Sequence, residues 1–94
     1  MDDHDRIRRA EQGRQILDNP RWQEAFASLR QGYLDAMERA ETEDVEAVLC
    51  AKRMLAALHQ LAHEFEMMLK DGAVSREIVK EQEQRKKWFS INLR

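Results

Sequence analysis

His59 and His63 stand four residues apart in Ala57-Leu58-His59-Gln60-Leu61-Ala62-His63-Glu64, a spacing that places two imidazoles on one helical face. Two such nitrogens with a carboxylate form the ligand set of a zinc hydrolase, and Glu64 and Glu66 follow directly. The zincin pattern requires Glu immediately after the first His, and Gln60 occupies that place. The histidines therefore read as helix-surface or interface residues. Cys50, the only cysteine, cannot close an internal disulfide, and its place in an apolar helical row reads as a small buried residue. Gly13, Gly32 and Gly72 are isolated, so there is no phosphate-cradling loop, and no serine has a nucleophile context. The chain is expected to be no enzyme and to carry neither metal nor cofactor.

The totals agree with a protein that works through surfaces. Ninety-four residues make one small domain at most, with limited core volume. Aromatic content of 6%, one Pro and three Gly disfavour a β-rich design, and abundant Ala, Leu, Glu, Gln, Arg and Met favour helix. Charged residues reach 36% with a net charge of −2, which argues against a whole-surface nucleic-acid binder. No apolar run approaches the roughly 20 residues of a membrane span, and the start MDDHDRIRR lacks the apolar core of a signal peptide. The expected location is the cytoplasm, with no membrane partner.

The helices that carry these residues can be placed from punctuation and period. A first helix runs from about Asp5 to Leu17, with Asp3 or Asp5 at its start and a thin apolar face at Ile7, Ala10, Ile16 and Leu17. Asn19-Pro20 opens a second, since Asn caps well and Pro suits the first helical position. Trp22, Phe26, Leu29, Tyr33 and Met37 give it a strong apolar face over about 20–40. Glu41 to Asp44 form an acidic turn in which Thr42 is placed to cap. The third helix, 44–70, is then an antiparallel neighbour of the second. Gly72 suits a helix terminus, and Ser75 suits the N-cap of a polar fourth helix from about Arg76 to Lys87. Glu81/Arg85 and Glu83/Lys87 are spaced to support that helix as ion pairs. Phe89, Ile91 and Leu93 alternate with polar residues, a period of two that reads as an extended aromatic tail.

The third helix has two apolar rows. Val48, Ala51, Leu55, Leu58, Ala62, Phe65 and Leu69 form one, which the second helix covers. Ala47, Cys50, Met54, Ala57, Leu61 and Met68 form the other, interrupted by Glu64. With so thin a first helix, this second row asks for another copy of the chain in a cyclic dimer or larger ring, the alternative being a monomeric three-helix bundle. Residues 1–75 read as a helical oligomerisation core, and 76–94 as a charged helix with a tail, Trp88, Phe89, Ile91 and Leu93, that either docks on another chain or folds back on its own bundle. Net charge is −1 over 1–19, −3 over 20–70 and +2 over 71–94. Arg6 and Arg9 near one end, and Arg85, Lys86 and Lys87 near the other, are the residues able to touch phosphates. There is no helix-turn-helix signature, so any DNA contact is non-specific.

Gly13 to Phe26, GRQILDNPRWQEAF, and Phe65 to Val74, FEMMLKDGAV, resemble small helical proteins of tailed-phage packaging and head-assembly gene clusters. The resemblance spans about residues 6–80 and rests on an Ile-Leu-x-Asn-Pro lead-in, an aromatic start to a long helix, an acidic turn and a second long helix closing at Gly. Within that group the chain is most similar to small terminase subunits, which form rings of helical hairpins and regulate the large packaging subunit through a C-terminal segment. The resemblance implies that Ala47, Met54, Leu61 and Met68 face a neighbouring subunit. It also implies that the C-terminal tail meets the large terminase or another phage assembly protein. Many small terminases carry an N-terminal helix-turn-helix that this chain lacks, which fits packaging without sequence selection, as in gene transfer agents. Other readings are a virion structural, scaffold or connector protein, and a small helical regulatory or inhibitor protein.

Overall fold

The computed structural model describes residues 1–92. These form three α-helices and no strand: α1 Asp3–Leu17, α2 Pro20–Arg39 and α3 Val45–Asn92. The fold is all-α, as the sequence predicts. It separates into two compact units, Ile16–Glu64 on one side and Met1–Gln15 with Phe65–Arg94 on the other.

The first unit is the helical hairpin. Asn19 has extended backbone, with φ −69° and ψ 123°, and its side chain accepts a hydrogen bond from the Arg21 amide at 2.8 Å. Pro20 follows at the first helical position, where its missing N–H removes no helical bond. The Gln23 side chain donates to the Leu17 carbonyl at 3.0 Å and ties the incoming chain to α2. At the far end the Ala40 amide returns to the Ala36 carbonyl, and Asp44 N bonds Glu41 O at 2.9 Å. Asp44 rather than Thr42 caps α3, its carboxylate accepting from the Ala47 amide at 3.1 Å. Ala51, Leu55 and Leu58 of α3 are buried, and Val48 and Ala62 half-buried, so the expected first row is the packed one. Trp22, Phe26, Tyr33 and Met37 of α2 are half-buried, while Leu29, expected among them, is exposed. The Trp22 and Phe26 rings lie 6.4 Å apart and, with Leu17, Gln23 and Ala62, line an apolar hollow.

The second unit joins the start of the chain to its last third. Asp2 caps α1 by accepting from the Asp5 amide at 2.8 Å, and Asp3–Arg6 and Asp5–Arg8 pair along the first turns. Ala10 and Gly13 of α1 are buried, as are Gly72 and Ser75 of α3. A methyl group on Gly72 would overlap the Ala10 Cβ and sit 3.3 Å from the Arg6 carbonyl oxygen, so the two helix backbones nearly touch there. The expected helix end at Gly72 is therefore absent. Its φ is not positive, α3 runs through it, and the glycine serves a close helix crossing instead of a cap. Ser75 likewise begins no fourth helix. It is 1% exposed and its hydroxyl donates to Asp3 Oδ1 at 2.8 Å.

The polar segment and the start of the predicted tail belong to the same helix. Trp88, Phe89 and Ile91 continue α3 instead of forming an extended strand-like end, and Leu93 lies outside the described residues. No glycine or proline lies between Ser75 and Asn92, and a helix once nucleated extends at small cost through Glu, Gln, Lys and Arg. The Trp88 and Phe89 rings meet edge to face at 5.1 Å.

Candidate interaction surfaces

Two apolar stretches of α3 remain open. In the hairpin unit Ala47, Cys50, Met54, Ala57 and Leu61 are all exposed, with Met54 at 44% and Leu61 at 43%. They repeat at steps of three and four beside the buried Ala51, Leu55 and Leu58. Cys50 is thus open to solvent in the single chain, not packed as its apolar row suggested, because α2 covers only the adjacent row.

Met68 behaves differently from the rest of its row. It is half-buried, and a methyl group on Gly13 would lie 4.0 Å from its sulfur and 3.6 Å from Phe65 Cδ1. Its face is turned to α1. The open row therefore ends at Leu61, and the part that continues towards Gly72 is already occupied within the chain.

At the other end Trp88 is 58%, Phe89 52% and Ile91 75% exposed. Arg85, Lys86 and Lys87 beside them are exposed, and among the described residues no carboxylate pairs with them. The expected Glu81–Arg85 and Glu83–Lys87 pairs are not closed, so these charges remain solvated. Glu81, Gln84, Arg85 and Trp88 together line a shallow hollow on one side of the helix. Arg6 and Arg9 are on α1: Arg6 pairs with Asp3 at 3.6 Å, and Arg9 lies 3.3 Å from the Met1 sulfur. With Met68 and Asp71 these two arginines and Met1 frame a second shallow hollow. Asp71 brings a negative charge into it, which weakens it as a phosphate site.

His59 and His63 are exposed on α3. Glu64 accepts a hydrogen bond from the Gln60 side chain at 2.9 Å. Among the described residues no group of three or more His, Cys, Asp or Glu side chains converges in a way that could hold a metal ion. No helix among them is long and apolar enough to cross a membrane.

No family model, curated protein or solved structure matches the chain. Its surfaces must therefore be interpreted from their own chemistry. Sequence reasoning placed Ala10 on the thin face of the first helix and gave Gly72 and Ser75 terminal roles, and so missed the α1–α3 contact that the three make. Their signal was present as the rhythm Phe65, Met68, Gly72, Ser75, Val79, which keeps steps of three and four through the glycine.

Proposed function

We propose that this chain is a non-enzymatic, ring-forming adaptor in phage-type DNA packaging, similar to a small terminase subunit. In this reading copies assemble through α3, and the C-terminal end of that helix meets the large packaging subunit. The observation that carries it is the exposed row Ala47, Cys50, Met54, Ala57 and Leu61, lying directly beside the row that α2 covers. An amphipathic helix buries one stripe, and a second stripe of this length left in water is the mark of a protein interface. Heterologous packing of such a stripe against a neighbour's hairpin closes into a ring when the rotation per subunit divides the circle.

The C-terminal end supports the second half of the proposal. Trp88, Phe89 and Ile91 present aromatic and aliphatic surface next to Arg85, Lys86 and Lys87, which pair with no carboxylate among the described residues, the composition of an interface anchor with a charged rim. DNA contact in this reading is limited to non-specific phosphate pairing by Arg85, Lys86 and Lys87.

Native mass spectrometry at micromolar concentration tests the assembly. A closed oligomer of defined copy number supports the ring, and a clean monomer overturns it. Met54→Glu with Leu61→Glu should lower the copy number while leaving helicity by circular dichroism unchanged. A packaging adaptor is absent from mature particles. A chain counted in purified virions would instead be a structural component.

A further inference from the structure

The helical hairpin carries its open residues on one side. In α3 each open residue precedes a packed one: Cys50 before Ala51, Met54 before Leu55, Ala57 before Leu58. The same order holds in α2, where Ala25, Gly32 and Ala36 are exposed and Phe26, Tyr33 and Met37 half-buried. One residue turns a helix by about 100°, so both open rows are rotated from their packed rows in the same sense. About antiparallel axes, that shared sense brings the two rows to the same side of the hairpin. The result is one apolar face two helices wide, on which Leu29 is 50% exposed.

The two ends of the hairpin set its register. Trp22 and Phe26 share a hollow with Ala62, and a short turn joins Arg39 to Val45. Between these ends Ala25 lies level with Leu61, Leu29 with Ala57, Gly32 with Met54 and Ala36 with Cys50. Each large side chain of one row is thus level with a small residue of the other. A Cβ on Gly32 would meet nothing within 4 Å in its own chain. The outer edge of the face carries Arg21, Asp35 and Arg39 on α2, and Glu64, Arg53 and Glu46 on α3. Every charge on one edge has its opposite on the other, level with it or within a turn. Arg21 pairs with Glu24, Asp35 accepts from the Gln31 side chain and the Arg39 side chain donates to the Asp35 carbonyl. Both arginines nonetheless stay exposed.

We propose that a second copy of this chain covers the face, the two hairpins stacking about a two-fold axis parallel to their helices. The α2 of each copy then lies antiparallel on the α3 of the other, and a four-helix bundle results. Leu29 seats on Ala57 of the second copy, and Met54 fills the space beside its Gly32, which gives that mid-helix glycine a use. Along the edges Arg21 meets Glu64, Asp35 meets Arg53 and Arg39 meets Glu46. Stacking about an axis across the helices would set Arg21 against Arg39 and Glu46 against Glu64, and charge excludes it. The face is about 30 Å long and 20 Å wide, on the order of 600 Å² per copy. Two copies reach the roughly 1,200 Å² at which specific pairs begin. The proposal rests on the reading of Ala47 to Leu61 as a contact between copies and gives that contact two-fold form. A ring is then built from pairs.

Analytical ultracentrifugation of the full chain measures the pairing. Arg53→Glu alone and Asp35→Arg alone should each weaken it at least tenfold, and the two together should restore it. Gly32→Phe should abolish it by occupying the seat of Met54, while circular dichroism shows the helices intact. Ala36→Cys should oxidise with the native Cys50 to a covalent dimer and no further, since a two-fold pair closes both bonds at once. A ladder of cross-linked oligomers, or an odd copy number by native mass spectrometry, overturns the two-fold pair and leaves the ring standing. A disulfide within one chain, or failure of the charge swap to restore pairing, also overturns the pair. A clean monomer overturns both readings.

Discussion

The Ser75 hydroxyl donates to the Asp3 carboxylate at 2.8 Å across 72 residues of sequence, and Ser75 is the most deeply buried polar side chain of the described residues. The contact explains how the thin, polar α1 is held on α3. Its two ends differ in energetic consequence. Ser75→Ala removes the donor and leaves a partly exposed carboxylate, and should cost about 1 kcal/mol. Asp3→Ala strands a buried hydroxyl, and should cost about 1–3 kcal/mol. Urea unfolding of the two variants and their double mutant measures the coupling; additive losses would mean the two groups do not interact.

The three glycines should respond to alanine in different ways. At Gly72 the new methyl collides with the Ala10 Cβ and lies close to the Arg6 carbonyl. The variant should lose about 1–3 kcal/mol by overpacking, despite a helix-propensity gain of about 1 kcal/mol. At Gly32 nothing lies within 4 Å, so alanine should stabilise by about 1 kcal/mol. Gly13 has only ordinary contacts, at 3.6 and 4.0 Å, and alanine should also stabilise, by about 0.5–1 kcal/mol. Thermal unfolding of the three variants reads the signs directly.

The Asn19 cap should be a discrete element of hairpin stability. Asn19→Ala removes the 2.8 Å acceptor of the Arg21 amide and should cost about 1 kcal/mol, while Asn19→Asp should be nearly neutral. Equal losses for both would place the effect elsewhere than the cap.

Asp2 governs the acid response of the first turn. The hydrogen bond from the Asp5 amide holds its carboxyl below the ordinary value of 3.8, against an opposing desolvation and with smaller help from nearby His4, the chain amine and Arg8. A lowered folded pKa favours the folded turn when the group is ionised. The cap's contribution is therefore complete above pH 3.8 and is lost as pH falls through the lower folded value. Protection of the Asp5 amide from hydrogen exchange should fall over that range, and Asp2→Asn should abolish the dependence.

Cys50 offers a reporter of assembly. It is exposed in the single chain and lies within the open row. A thiol reagent should modify it readily at dilute concentration, and the rate should fall as oligomers form over this face. An unchanged rate in a verified oligomer would move the interface off Cys50.

The hairpin was legible because its signals are local. Asn19-Pro20, the acidic turn and the row Ala51, Leu55, Leu58 each specify structure within a few residues. Gly72 was misread because glycine serves both as a helix terminator and as a site of close helix approach. Only the position of Ala10, far away in sequence, decides between them. Ser75 carried the same ambiguity between N-cap and buried donor, and Asp3 resolves it. The period of two in Phe89-Ser90-Ile91 was too short to outweigh a helix already running through Lys87. Of the interaction surfaces, the open row was visible as a second stripe, but its end at Leu61 was not, because Met68 is turned to α1.

One unit draws on both ends of the chain, Met1–Gln15 and Phe65–Arg94, while the other is the continuous stretch Ile16–Glu64. Translation delivers these in unequal order. The hairpin has all of its residues as soon as Glu64 is made, whereas Asp3 must wait for Ser75. At about 5–20 residues per second that wait lasts on the order of several seconds. During it α1 is a nascent helix without its seat, and Ala10 has nothing to lie against. On the growing chain the hairpin has its residues first, and α1 is the last helix to find a seat.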